Sequence, residues 1–543
     1  MNTGKIQITY SKIRRIALIY ISLPLICFFI GWLKWYWIIL SCIALIVCLV
    51  AAEDKNLLNK LFPKTKDNKE TKDQLDEKSI SLSKWVIPTI ALISCVYCIF
   101  CGIGRLWGQS LDYPWRNAIF RDLIMRDWPV FYDKLQGALS YYIGMWLPAA
   151  IPGKIVYLIS GDYKVAFFVG NMSLLLYFTF GFTVLFLLLL MYFQKTDAKH
   201  VFLLVFGLIL FSGMDIIGSG LSIPEGLHIE WWAGTFQYSS LTTCMCWVFN
   251  QTLVPWICTT LLLHEKSVSN LVFIGMACLF NGPFPFIGFF IYCIAIGIMR
   301  CVAMTKEKKG RSFVKEVFSL SNIFATLLIF PIISAFLLSN NYMADNTGAD
   351  SDSVFFLAST WGLSDFVWYV FFLLIEFGIF AVLIARPNKK NVLFYVTVIQ
   401  LCIYPLFNLG INSDLTMRAS IPPLFMMFIM VYKYLFDEKI IRPSESKSEK
   451  EKNKLSGNSL PMNVRYVILI ICLIVGAVTP CVEFARGSIQ VKNRGIDDIY
   501  TDYIVTLNRT TDPLGKEWHP DPFVAFNYDT NPFFKYFSRI GEN

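Results

Sequence analysis

Residues 85–128 read WVIPTIALISCVYCIFCGIGRLWGQSLDYPWRNAIFRDLIMRDW, and the change of character half-way along decides what kind of chain this is. As far as Leu106 the stretch is apolar enough to enter a bilayer. Beyond it, Asp112, Arg116, Arg121, Asp122, Arg126 and Asp127 crowd between Trp107, Tyr113, Trp115 and Trp128. Charges at that density are too costly for hydrocarbon, whereas aromatic rings favour the headgroup level. The pattern is a membrane span that delivers an interfacial segment. Within that segment Ile119, Phe120, Leu123 and Ile124 recur at helical spacing, opposite Arg116, Asn117, Arg121 and Asp122. Such a helix is expected to lie flat on the bilayer. Pro114 marks its start, and Asp112 just before it can project its carboxylate beside the Arg116 guanidinium.

Composition agrees. The 543 residues are 55% hydrophobic and only 16% charged, and the mean hydropathy is +0.53. Continuous apolar runs imply an all-α polytopic membrane protein and exclude a β-barrel. The net charge of +9 does not point to nucleic acid, because the basic residues collect in loops between apolar runs, where they report orientation. Nearly all of the fifteen cysteines lie inside such runs, without His, Asp or Glu at ligand spacing, and read as small packing residues.

Taken in order, the runs predict about thirteen spans, with the N-terminus in the cytoplasm and the C-terminus outside the cytoplasmic membrane. Residues 1–480 form the transmembrane domain. Its first large external loop, 107–165, carries the interfacial helices, and 139–159 dips into the outer leaflet and returns. Two Lys- and Glu-rich loops, 53–84 and 437–463, are cytoplasmic. Residues 481–543 form a small extracytoplasmic domain whose aromatic residues suggest a lid docked on the membrane part.

This topology collects the unusual polar residues on one face. Asp112 is the candidate general base, and Asp215, after SGM at the end of a span, is a second catalytic carboxylate. Arg116, Arg121 and Arg418 offer planar forks to a phosphate. Glu225, His228, Glu230, Trp231, Trp232 and Tyr238, in an external loop, can bind an acceptor or stack on a sugar. A carboxylate base with arginines beside lipid suits glycosyl transfer from a polyprenyl-phosphate-linked sugar: the base deprotonates the acceptor hydroxyl and the cation stabilises the departing phosphate. The partners expected are that donor, a glycan or lipid-linked acceptor and membrane lipids, with no nucleic acid.

Residues 107–159, with Asp112 shortly after an early span and interfacial helices behind it, resemble the first external loop of the C-type glycosyltransferases (GT-C fold). The many-span layout with a small external C-terminal domain is also similar. The strings RNAIFRDLI with WPV, SGMD, IEWW with FQYSS, WVFNQ and MRASIP resemble bacterial membrane proteins of surface-polysaccharide assembly. The resemblance implies that Asp112 matches the catalytic first-loop aspartate and that Arg418 lies near the lipid phosphate. The metal-binding DxD of some members is absent, so no metal ligand is assigned, although the carboxylate and imidazole loop keeps a divalent metal open. Glu376, alone in the middle of a span, supports another class, a transporter or flippase of lipid-linked glycans or small solutes. A glycan polymerase or ligase is the neighbouring enzyme class.

Overall fold

The computed structural model describes residues 4–53, 78–223, 228–234, 236–340, 356–409, 414–437, 462–495, 506–509 and 522–540. Among these it is mostly helical, as expected of a chain that must satisfy its backbone hydrogen bonds internally in lipid. Among the described residues nine helices are long and apolar enough to cross a membrane, which makes this a multi-pass membrane protein. Three of the runs read as spans fold as shorter apolar helices, Val86–Phe100, Leu271–Asn281 and Val392–Leu406. A fourth, 245–263, lies across two helices, Leu241–Gln251 and Leu253–His264, that meet at an angle of 102°.

The chain forms two compact units. The first comprises Met1–Thr196, Met245–Ser353 and Gly487–Asn543, and the second comprises Asp197–Cys244 and Val354–Arg486. Val478–Arg494 is one helix, and the described residues after it belong to the first unit.

In the first unit, Tyr10–Trp32 is the central helix, with Ile21, Leu25, Phe28 and Trp32 fully buried. It packs along Tyr163–Phe193, where Tyr20 stacks on Tyr177 at 4.6 Å between ring centroids. A strand ahead of it, β1 (Lys5–Thr9), pairs antiparallel with β2 (Ser79–Ser83), a two-stranded sheet that the apolar pattern does not announce. The segment after Leu106 folds as the helix Tyr113–Met125, then β3 (Phe131–Tyr132), β4 (Gly137–Leu139), a 3-10 turn at Gly144–Trp146 and the helix Leu147–Ser160. The C-terminal segment closes over it: β5 (Val524–Ala525) adds to β4, and Arg539 donates to the Trp128 carbonyl.

One expectation fails here. The Tyr113–Met125 helix does not lie with its polar face in water, because Arg116, Asn117, Arg121 and Asp122 are as buried as Ile119 and Phe120. The polar face is covered by protein that is distant in sequence, and sequence periodicity cannot distinguish that cover from solvent.

The second unit is built on Ala198–Leu210, Leu363–Leu373, Ile379–Ile384, Val392–Ile403 and Ile421–Leu435, with Met462–Gly476 and the start of Val478–Arg494. Phe211, Phe380 and Phe428 meet in its core. Between Leu373 and Ile379 the backbone widens into a π-helical turn, Leu374–Gly378, which carries Glu376. Such turns inside a helix often mark functional positions.

Candidate functional site

In the first unit, Asp112 occupies the N-cap position of the Tyr113–Met125 helix, with Pro114 in the first turn as the sequence requires. The i, i+4 spacing brings Arg116 to the same side, and Arg116 Nη2 donates to Asp112 Oδ2 at 2.8 Å. The two side chains differ in environment: Asp112 is 44% exposed and Arg116 only 5%. The Arg116 guanidinium lies 6.0 Å from the Phe249 ring centroid, and its Nη1 is buried with no hydrogen-bond partner among the described residues. Beside it, Asn117 donates to Gln109 Oε1 at 2.8 Å and the Tyr113 hydroxyl to the Cys101 carbonyl at 2.8 Å.

Arg121 does not join this pair. Its Nη1 donates to Asp122 Oδ1 at 2.9 Å, and its guanidinium lies over the Tyr163 ring at 5.4 Å. Asp122 is fully buried. Its Oδ2 accepts from Thr506 Oγ1 at 2.9 Å and from the Leu507 amide at 2.8 Å, so it ties the C-terminal segment to the helix. Burial raises the Asp122 pKa, against the lowering effect of these donors and of Arg121 and Arg126.

In the second unit the sequence candidates are mostly buried. Asp215, expected near a surface, is 0% exposed. Its Oδ2 accepts from Thr479 Oγ1 at 2.7 Å and Ser212 Oγ at 3.1 Å, and its Oδ1 accepts from Trp232 Nε1 at 3.2 Å. The same indole nitrogen reaches Glu376 Oε1 at 3.3 Å, and the Asp215 and Glu376 carboxyls are themselves within hydrogen-bonding reach. A narrow pocket runs beside Glu376, lined by Ser212, Gly213, Ser240, Phe377 and Met427.

A second carboxylate group adjoins the first. His228 Nδ1 sits 3.2 Å from Glu483 Oε1, which shares its carboxylate with Arg486. Gln237 Nε2 donates to Glu230 Oε2 at 3.4 Å, and the Ser240 amide to Glu230 Oε1 at 2.9 Å. Burial, and then the charge of Asp215, push the Glu230 pKa up to about 7.

Of the proposed sugar-stacking residues, Tyr238 is enclosed in the core beside Phe372, with its hydroxyl on the Leu401 carbonyl, and offers no free face. Trp232 is committed to the carboxyls, while Trp231 is 58% exposed. Glu225 lies outside the described residues. Arg418 pairs with Asp414 at 2.9 Å. The candidates thus divide between the units: Asp112, Arg116 and Arg121 belong to the first, with only Asp112 and Arg116 paired, and Asp215, His228, Glu230 and Arg418 belong to the second, where Arg418 pairs with Asp414 instead of joining the carboxyls named above. Among the described residues no three His, Cys, Asp or Glu side chains are arranged to hold a metal ion.

No protein-family model, curated protein or solved structure matches this chain. Its chemistry is read from its own residues.

Sequence reasoning missed Glu483, because the last span was ended at Pro480 whereas the helix continues to Arg494. The acid and base three residues apart, Glu483 and Arg486, were the available signal. Asn250, Gln251 and Asn281 interrupt apolar runs in the sequence, with Asn281, Gly282 and Pro283 marking a turn, but that all three amides are buried is not visible there.

Proposed function

We propose that this protein is a membrane glycosyltransferase of the GT-C kind, which moves a sugar from a polyprenyl-phosphate donor to a glycan or lipid-linked acceptor outside the cytoplasmic membrane. Asp112 takes the proton of the acceptor hydroxyl as its oxygen bonds to the anomeric carbon. The bond from that carbon to the phosphate oxygen breaks, its electron pair leaves with the lipid phosphate, and Arg116 stabilises the charge. The observation that carries this reading is the division of labour at one helix start. A half-exposed carboxylate is held by a buried guanidinium that commits one terminal nitrogen to it and leaves the other, Nη1, without a hydrogen-bond partner among the described residues.

The test is transfer from a panel of polyprenyl-phosphate hexoses by purified protein in lipid nanodiscs. Wild type is expected to transfer one of them, and Asp112→Asn to lose about 100-fold or more of the rate, as removal of a general base does. An Asp112→Asn protein as active as wild type refutes the reading.

A second reading, proton-coupled transport, is favoured by one specific observation. Asp215 and Glu376 are two buried carboxyl groups in contact within helices that qualify as spans, and such groups commonly mark proton or ion paths. Loss of solute uptake in Glu376→Gln proteoliposomes, with no sugar transfer by wild type, would replace the first reading with this one.

A further inference from the structure

The amide-rich turns of the first unit carry an inference that deepens, and rests on, the glycosyltransferase reading. The run 245–263 is apolar except for Asn250, Gln251, Thr252, Thr259 and Thr260, and 271–299 is broken by Asn281, Gly282 and Pro283. Inside a membrane protein, irregular backbone is tolerated where protein buries it or where it lines a polar cavity.

Both breaks occur in the structure, and they meet. Phe249–Gln251 is a 3-10 turn, and the helix Leu271–Asn281 ends at Gly282. A Cβ on Gly282 would stand 3.2 Å from Gln251 Cβ. A third break, Gly144–Trp146, joins them: a Cβ on Gly144 would come within 2.4 Å of Asn281 Oδ1, so only glycine lets that amide approach the backbone.

All three amide side chains are 0% exposed. Asn250 Nδ2 donates to the Tyr142 carbonyl at 3.4 Å and Asn281 Nδ2 to the Ala277 carbonyl at 2.8 Å. That leaves Asn250 Oδ1, Asn281 Oδ1 and both polar atoms of Gln251 buried without a partner among the described residues. Buried polar groups are nearly always paired, because an unpaired one forfeits its hydration for nothing. Four such atoms, on two elements that meet at Gln251 and Gly282, point to a ligand that pairs them.

The chemistry of that ligand follows. Three carbonyl oxygens seek donors and one amide nitrogen seeks an acceptor, and no charge is present. Hydroxyl groups both donate and accept, so a polyhydroxylated ring complements the set, whereas a phosphate or carboxylate would meet mainly acceptors. Trp146 and Phe249, both buried and edge to face at 5.7 Å, wall the turns on their apolar side. Phe249 also stacks on Tyr113 at 5.4 Å and carries Arg116 at 6.0 Å, which ties the amide turns to the Asp112 pair.

We propose that Asn250, Gln251 and Asn281 form the subsite that holds the transferred sugar by its hydroxyl groups.

The test uses the full chain purified in a detergent without a sugar headgroup, with methyl glycosides of glucose, galactose, mannose and N-acetylglucosamine as probes. Thermal unfolding and tryptophan fluorescence are the readouts. At saturation at least one glycoside should raise the wild-type Tm by about 2–4 °C. Gln251→Leu and Asn281→Leu should unfold at or above the wild-type temperature without sugar, because an unpaired amide has been removed, and should lose the sugar-induced shift. The proposal is overturned if no glycoside shifts wild type, as for amides bridged by water alone, or if the shift survives in both variants. Should the leucine variants fail to fold, Gln251→Met, of similar length but without hydrogen-bonding atoms of its own kind, is read instead: it must lose the shift, and keeping it overturns the proposal. Asp112→Asn should keep the shift. Binding without transfer by wild type would sink the transferase reading and spare the subsite, and transfer without binding would do the reverse.

Discussion

The two units bury charge in opposite ways. In the first, the Tyr113–Met125 helix sets Arg116 against Asp112 and Arg121 against Asp122, with Arg126 near the same carboxylate, so each acid has a guanidinium and the cations are in excess. In the second, Asp215, Glu230, Glu376 and Glu483 lie together, and Asp215 and Glu376 are met by neutral donors, Trp232, Ser212 and Thr479. Cations compensate charge in the first unit, and hydroxyl and indole donors serve that role around Asp215 in the second. The first arrangement is net cationic. The second is suited to holding protons.

The sharpest way to break this comparison is at Asp122. Asp122→Ala would leave Arg121 and Arg126 without their carboxylate and free Thr506 and Leu507 from it, and is expected to cost about 3–5 kcal/mol. Thermal unfolding, with hydrogen exchange of residues 506–509, reads the effect. A loss below about 1 kcal/mol would mean that cation pairing does not hold the first unit together.

For the second unit the lever is pH. Glu230 has a folded pKa of about 7, above its ordinary value, so the folded state binds more protons than the unfolded one in between. The associated stability is fully present below about pH 4.5 and is lost as the pH rises through about 7, a change of roughly 3 kcal/mol. Melting temperature measured across that window should fall, and Glu230→Gln should flatten the curve. A wild-type curve already flat would refute the acid-on-acid account.

Packing at the acid pair gives a smaller effect. A Cβ on Gly213 would stand 2.2 Å from Glu376 Oε2, so Gly213→Ala should destabilise by about 1–3 kcal/mol in denaturation experiments. An unchanged midpoint would show that the Glu376 side chain swings aside freely. The smallest effect on stability belongs to Asp112→Asn. A half-exposed ion pair contributes at most about 1 kcal/mol, so this variant should melt close to wild type even as sugar transfer collapses. A large drop in Tm would mark Asp112 as structural and remove it as the base.

How far the sequence could be read depended on distance along the chain. The Asp112–Arg116 pair was legible because proline placement and i, i+4 spacing are local rules. Asp122 as the anchor of Thr506 and Leu507 was not, since its partners lie hundreds of positions away. Tyr238 looked like a sugar platform because aromatic residues in polar loops resemble one whether their rings are free or, as here, packed on Phe372. Asn250, Gln251 and Asn281 were visible as interruptions of apolar runs, but their meeting through Gly144 and Gly282 was not.

Hydropathy and the spacing of apolar residues by themselves determined that this is a helical, multi-pass membrane protein, and where most helices run, because solvation in lipid acts on each segment independently. Only the tertiary structure decided which helices reach spanning length and which break. It also decided that the polar face of the Tyr113–Met125 helix is covered by protein, and that Asp215 and Glu376 meet. Burial and pairing of a polar group depend on what packs against it, and residues far apart in sequence supply those neighbours.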